Sequence, residues 1–200
     1  MATKQDALTP TQLSAVDSVV DERATIFDFG NGDISAFNLV GEITQQTMTD
    51  LGLYEPYDWI KPPVSVKVGT SVTNIGSYLF VNFPSDLSIT LPNTLTAIGD
   101  GAFQHVSCLN SIEIPDSVTT MGRDVLFNCS ALTDAKIGSS LSSIARNCFE
   151  RCSSLSTTNI PNNIKTIEIY AFYNSGLTGI TIPDSVTNIE DNVFGYCRNL

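Results

Sequence analysis

Apolar residues recur with a fixed spacing over the C-terminal two thirds of the chain. The leucine that opens each unit marks the period, and successive leucines are 22 or 23 residues apart. These leucines are Leu87, Leu109, Leu132, Leu155, Leu177 and Leu200. A constant period of this length predicts a solenoid, in which each unit stacks only on its neighbours and buries a continuous core.

Residues 109–131 show the pattern within one unit. Ile112 and Ile114 alternate with polar residues and precede Pro115. This predicts a short strand, because period-two alternation places both isoleucines on one face and proline cannot donate to a ladder. Further along, Leu126 occupies a position at which most other units have phenylalanine. Since stacked coils lie about 4.8 Å apart, these side chains are predicted to align into a ladder that forms the spine of the core.

The unit resembles the BspA-type leucine-rich repeat, whose sequence is close to L-x-x-I-x-I-P-x-x-V-x-x-I-G-x-x-A-F-x-x-C-x-x. Residues 177–199, LTGITIPDSVTNIEDNVFGYCRN, match nearly every apolar position. The resemblance implies a right-handed, mainly β solenoid of six repeats over residues 63–200, used for recognition and attachment at microbial surfaces. Leu200 would begin a seventh unit, so we expect the array to continue in the natural protein. Ala135 and Thr158 weaken one strand column, which predicts softer coils there.

Residues 1–23 do not share the repeat and predict a helix. Thr9 can cap the first turn, Pro10 suits the first helical position, and the helix is expected to run to about Arg23. Its apolar stripe consists of Leu13, Val16 and Val20. Such a stripe either packs on the adjacent domain or forms a short coiled coil, and the second alternative would give a homotrimer.

Residues 24–62 predict a β-hairpin, a capping region and a linker. Residues 24–29 and 34–40 read as the two strands, joined by a glycine-rich turn at residues 30–33. Because the first coil of a solenoid would otherwise expose its core and an unpaired strand edge, we expect a small α+β N-terminal cap here. Packing at this junction, rather than ligand binding, is the favoured role of the aromatic residues Tyr54, Tyr57 and Trp59.

The segment from Lys4 to Val20, KQDALTPTQLSAVDSVV, resembles a stretch near the N-termini of tail-fibre and related appendage proteins of phages and prophages. That resemblance implies an exported binding protein and favours a trimer. The N-terminus has neither the apolar core nor the small-residue cleavage site of a signal peptide. We therefore expect an extracellular or virion-associated protein with no signal peptide in this chain.

Charge and hydropathy exclude two classes of partner. Ten basic against 21 acidic residues give a formal net charge of -11, which opposes attraction to nucleic acid or to an anionic membrane surface. No run of 18 apolar residues is present to span a bilayer. Neither nucleic-acid binding nor membrane insertion is expected.

Catalytic and metal-binding patterns are weak throughout the chain. The one histidine, His105, falls in a column of variable loop residues, and Asp116 and Asp184 follow proline in identical turns, which is typical of turn formers. Most of the five cysteines share columns with apolar or small residues, which favours buried free thiols. The close pair Cys148 and Cys152 has no histidine nearby to complete a zinc site. No catalytic, cofactor-binding or metal-binding residue is predicted, and neither enzyme activity nor a cofactor is expected.

The outward strand positions form the candidate binding face, because the exposed side of a solenoid can vary without disturbing the core. This face is polar and mixed in charge. Its residues are Lys67, Thr90, Glu113, Asp134, Lys136, Thr157, Asn159 and Thr181. Loop aromatics are a weaker candidate, with Tyr78 and Tyr170 in one column and Phe127 and Tyr173 in another.

The predicted function is a non-catalytic recognition module that binds a protein or glycan at a microbial surface, as part of a phage or prophage tail appendage. A secreted or cell-surface bacterial adhesin of the same repeat family is the first alternative. A rigid structural spacer is the second, because a solenoid fixes architecture far more strongly than function.

Overall fold

The computed structural model describes residues 3–4, 25–28, 34–55, 58–59, 63–83 and 87–200. The predictions that lie outside these residues concern the helix from Thr9 to Arg23 with Leu13, Val16 and Val20, the turn at residues 30–33, and Tyr57. The described chain is mainly β, with little helix, as predicted. None of its helices has the length and apolar character needed to cross a membrane.

The chain before the repeats forms short strands and a helix. In order, these are β1 (Thr3–Lys4), β2 (Thr25–Asp28), β3 (Ile34–Asn38), β4 (Gly41–Ile43), α1 (Gln45–Asp50), β5 (Tyr54–Glu55) and β6 (Asp58–Trp59). β2 and β3 pair antiparallel, as the hairpin pattern predicts. The sequence analysis missed α1, which begins with a capping box: the Thr44 hydroxyl accepts the Thr47 N–H, and the Thr47 hydroxyl accepts the Thr44 N–H.

Most repeats contribute two short strands, where the sequence predicts only the first. The strands are β7 (Ser65–Lys67), β8 (Val72–Ile75), β9 (Ser88–Thr90), β10 (Ala97–Ile98), β11 (Ser111–Glu113), β12 (Thr120–Met121), β13 (Asp134–Lys136), β14 (Ser143–Ile144), β15 (Thr166–Ile167) and β16 (Asn188–Ile189). Corresponding strands of adjacent coils pair in parallel: β7 with β9, β11 with β13, β8 with β10 and β12, and β14 with β15 and β16. The β-solenoid fold is therefore confirmed.

The first strand is missing from the last two coils. Residues 157–159 and 179–181 are not in strands. At the first of these, the Thr158 hydroxyl donates to the carbonyl oxygen of Ala135 at 2.9 Å, so a side chain takes the place of a backbone donor. At the second, Gly179 disfavours an extended ladder. The weak column is thus confirmed at Thr158, whereas Ala135 lies within β13 and the expectation of a strand at residues 179–181 is wrong.

The segments before the repeats attach to the first coil through both of its strands. β2 pairs antiparallel with β7, and β4 pairs parallel with β8. The buried Thr25 hydroxyl accepts the N–H of Gly69 at 3.1 Å, and Phe27 and Met48 are fully buried in the same core as the coils. From α1, Gln45 Nε2 donates to the carbonyl oxygen of Tyr78 at 2.6 Å. The role of this region as a cap stays a prediction.

The predicted apolar ladder is confirmed in the core. Its column consists of Phe80, Phe103, Leu126, Phe149, Phe172 and Phe194. Phe80 stacks on Phe103, and Phe149 stacks on Phe172, each pair with ring centroids 5.3 Å apart. Leu126 is also fully buried and interrupts the stack of rings, as expected.

The segment around each ladder residue forms what we call the phenylalanine turn. These turns are residues 78–82, 101–105, 124–128, 147–151, 170–174 and 192–196. In the first turn, the N–H groups of residues 78, 80 and 82 donate to the carbonyl oxygens of residues 100, 102 and 104 in the next coil, at 2.8, 2.8 and 2.9 Å. Equivalent bonds recur at every later boundary between turns. The turns therefore form a hydrogen-bonded ladder along the whole described array.

The first and fifth residues of each phenylalanine turn have φ between 52° and 61°. Seven of these twelve positions hold asparagine, aspartate or glycine, which adopt this left-handed conformation most readily. The other five hold a large side chain: Tyr78, His105, Arg151, Tyr170 and Tyr196. Each of those carries a conformational cost of roughly 1–2 kcal/mol.

All five cysteines are free thiols, and Cys129, Cys148 and Cys152 are buried, as predicted. The thiols also have a polar role that the sequence analysis missed. The Cys129 thiol lies 3.1 Å from the carbonyl oxygen of Phe103, and the Cys152 thiol lies 3.2 Å from that of Leu126. Each is therefore a weak donor to the ladder position of the preceding coil.

Candidate functional site

The structure places all eight residues of the candidate binding face on the solvent side of the first strands. Within β11, for example, Ile112 is buried while Glu113 on its flank is exposed, because successive strand residues point to opposite faces. The eight exposed residues are Lys67, Thr90, Glu113, Asp134, Lys136, Thr157, Asn159 and Thr181. Their role in binding stays a prediction.

Glu113 and Lys136 form an ion pair across β11 and β13, where they are direct cross-strand neighbours. Lys136 Nζ donates to the Glu113 carboxylate, and this hydrogen bond raises the pKa of Lys136. Both side chains are more than half exposed, so solvent screens the attraction. The pair neutralises the centre of the face.

Asp116 lies in the turn beyond this ion pair. Its Oδ1 accepts the N–H of Ser139 in the next coil at 2.7 Å, which lowers the pKa of Asp116. Asp116 is therefore a turn residue that joins two coils, as predicted.

The strand face is divided by two grooves. The smaller, of about 300 Å³, lies between β9 and β11, which belong to separate sheets. Its lining includes Thr90 and Glu113 of the candidate face.

The larger groove, of about 750 Å³, opens beside β13, where the last two coils lack a first strand. Half of the candidate face lines it: Asp134, Thr157, Asn159 and Thr181. Within the described chain, the N–H groups of residues 159–160 and 179–182 have no backbone acceptor. The groove therefore presents backbone donors, hydroxyls and amides, with one carboxylate, to a ligand rich in polar groups.

The chemistry of this face suits hydrogen bonding rather than catalysis. His105 lies away from the strands, in a phenylalanine turn, where its Nδ1 is 2.9 Å from Asn128 Nδ2 and its ring packs against Phe127. Burial raises the pKa of both the Cys148 and the Cys152 thiols, which keeps them protonated and poorly nucleophilic. In the described parts of the chain, no three His, Cys, Asp or Glu side chains are grouped so that they could hold a metal ion.

A second exposed surface lies on the outer side of the phenylalanine turns. The guanidinium carbon of Arg151 is 5.6 Å from the centroid of the Phe127 ring, and its Nε is 3.6 Å from Glu150 Oε1. In the last two turns, the Tyr173 ring contacts both Tyr170 and Tyr196, with centroids 5.2 Å apart in each pair.

The sequence columns named Phe127, Tyr170 and Tyr173 but missed the contributions of Arg151 and Tyr196. The spacing of 22 or 23 residues, applied to the fifth residue of each turn, was the signal that could have found them.

The sequence profile of the BspA type leucine-rich repeat region matches six copies over residues 66–200. A leucine-rich repeat protein from Eubacterium ventriosum is 27% identical, with a TM-score of 0.60, over 71% of this chain and 45% of that one. A leucine-rich cell surface protein from Faecalibacterium prausnitzii is 24% identical, with a TM-score of 0.51, over 91% of this chain and 52% of that one.

The pneumococcal vaccine antigen PcpA has a similar fold, with 22% identity and a TM-score of 0.52 over 70% of this chain and 34% of that one. This chain therefore spans between 34% and 52% of the length of these three solved structures. Comparison with curated proteins gave no significant match.

Proposed function

Because the chain belongs to the BspA-type leucine-rich repeat family, we propose that it is a non-catalytic recognition module that attaches to a protein or glycan at a microbial surface. The observation that carries the proposal is the polar groove of about 750 Å³ on the exposed strand face. The similarity to a leucine-rich cell surface protein and to a vaccine antigen supports an extracellular setting.

The groove suits recognition because its polar groups are fixed by the fold. Adjacent coils remain joined behind it by the pairing of β14, β15 and β16. Its backbone N–H groups therefore meet a ligand already oriented, which reduces the entropy lost on binding. Hydroxyl and amide side chains at Thr157 and Asn159 supply both donors and acceptors.

The test is attachment of fluorescently labelled protein to intact bacteria and to host epithelial cells. We expect Asn159→Arg and Thr181→Arg to weaken attachment at least about tenfold, because a long charged side chain would fill the groove. Thr187→Arg is the matched control, since Thr187 is exposed outside the groove. Equal attachment by all three variants would exclude this face, and the absence of attachment by the unmodified protein would favour a rigid spacer.

We propose a phage or prophage tail appendage as the specific setting, with a bacterial cell-surface adhesin as the alternative. The segment from Lys4 to Val20 supports the appendage, whereas the relatives named above support the adhesin. Light scattering separates them. A trimer that becomes a monomer when Leu13, Val16 and Val20 are changed to serine supports the appendage, and a monomer in both cases supports the adhesin.

A further inference from the structure

Aromatic and amide side chains gather on the outer side of the last two phenylalanine turns. We call this surface the tyrosine patch, and it consists of Tyr170, Tyr173, Asn174, Asn192 and Tyr196. Tyr173 is the centre, with its ring nearly perpendicular to that of Tyr170 and tilted by 55° to that of Tyr196. Tyr196 is 64% exposed, and both asparagines are exposed.

The patch is built on a rigid support. The N–H of Asn174 donates to the carbonyl oxygen of Gly195 at 2.7 Å, and that of Phe172 donates to Val193 at 3.0 Å. Gly195 leaves room for the neighbouring ring, because a Cβ at this position would lie 2.8 Å from Tyr173 Cδ2. The rings therefore meet a ligand without a large loss of conformational freedom.

The backbone at Tyr170 and Tyr196 argues against a purely structural role. Both residues have positive φ, 59° and 60°. At equivalent positions, other coils have residues such as Asn82 and Asn128, which adopt this conformation at lower cost. Since asparagine completes the same turn, stability does not explain the tyrosines, and strain of this kind is typical of functional surfaces.

We propose that the tyrosine patch binds a neutral carbohydrate. The C–H faces of a sugar ring pack on exposed aromatic rings, while its hydroxyls exchange hydrogen bonds with the amides of Asn174 and Asn192 and with the phenolic hydroxyls. The five residues of the patch carry no formal charge, which fits a neutral ligand better than an ionic one. The inference rests on the proposed attachment function and deepens it by naming a ligand class and a second surface.

The first experiment presents the protein to a printed array of neutral oligosaccharides of glucose, galactose, mannose and N-acetylglucosamine, followed by calorimetric titration of the strongest one. We expect the double variant Tyr170→Asn, Tyr196→Asn to bind that sugar at least about tenfold more weakly. Tyr78→Asn is the matched control, since it makes the same change at a left-handed position in the first coil. Its affinity is expected to stay within about twofold.

Stability separates this proposal from a structural explanation. The double variant is expected to keep or raise Tm, because asparagine relieves the backbone strain. A lower Tm, sugar binding equal to that of the unmodified protein, or no binding to the array would each overturn the proposal. Attachment to cells that is lost on protease treatment, without binding to the array, would leave the proposed function standing and assign it to a protein ligand. Sugar binding lost in Asn159→Arg but kept in the double variant would move the site to the groove.

Discussion

Phe149→Ala is the substitution that tests the phenylalanine ladder most directly. Phe149 is 1% exposed, and its ring stacks on Phe172 with an interplanar angle of 5°. A buried phenylalanine removes about 150–250 Å² from water, worth roughly 4–6 kcal/mol at about 25 cal/mol per Å². That figure is an upper bound because the unfolded chain already buries part of this surface. Core substitutions of this type cost about 3–5 kcal/mol, which is the loss we expect.

Urea unfolding followed by circular dichroism measures this loss. A midpoint lower by about 1–2 M urea, with an unchanged m value, would mean that the array is destabilised as one unit. A lower m value would mean that coils on one side of Phe149 unfold separately, since repeat arrays interact only through neighbours.

Phe194→Ala is the control for this experiment. Phe194 is only partly buried and stacks on Phe172 at 5.7 Å. We expect it to cost less than half as much as Phe149→Ala, because less surface is returned to water. A loss below about 1 kcal/mol for Phe149→Ala, or an equal loss for the two variants, would refute the ladder as the main source of stability.

Three further predictions follow from single contacts. Gly138→Ala should destabilise the protein by about 2–4 kcal/mol in the same urea assay, because its Cβ would lie 2.3 Å from the carbonyl oxygen of Pro115; a loss below about 1 kcal/mol would mean that the coils can separate there. A thiol reagent at neutral pH should modify Cys108 and Cys197 in the folded protein and all five cysteines in urea, because the other three are buried and burial raises their pKa; rapid folded-state labelling of those three would contradict the buried core. Asp116 has a lowered pKa, so its stabilising effect is present above its ordinary pKa and is lost as the pH falls through the lowered value; Asp116→Asn should therefore reduce the difference in Tm between neutral pH and about pH 2, and an unchanged difference would show that its bond to Ser139 contributes nothing.

The fold was predictable because the repeat states the same packing rule six times. Aligned columns such as that of Phe80 and Phe103 appear in the sequence as a spacing, and stacking turns the spacing directly into contacts. The second strand of each coil was not predictable in the same way. A strand of two residues, such as Thr120–Met121, is too short to show alternation, and it exists because neighbouring coils place backbone groups opposite it.

Polar departures from the repeat needed the structure to be understood. Glu168 stands where the repeat pattern has glycine, and its sequence position gives no reason for the change. Its carboxylate accepts the N–H of Arg146 at 3.0 Å and the hydroxyl of Ser143 at 2.8 Å, and so joins two coils. The large groove was unpredictable for a similar reason, because it depends on where the Thr158 hydroxyl replaces a backbone donor.

The breaks in the two strand ladders occur at different coil boundaries, and this offset explains how the binding face can open. Where β9 and β11 are not paired, β10 and β12 are; where β12 and β14 are not paired, β11 and β13 are. Beside the large groove, β14 and β15 remain paired, and the bonds between phenylalanine turns continue across every boundary of the described array. Each boundary therefore keeps one strand ladder and one turn ladder when the other strand ladder is lost. Because loss of the first strand does not separate the coils, residues 157–159 and 179–181 are free to vary in sequence toward binding at little cost to the fold.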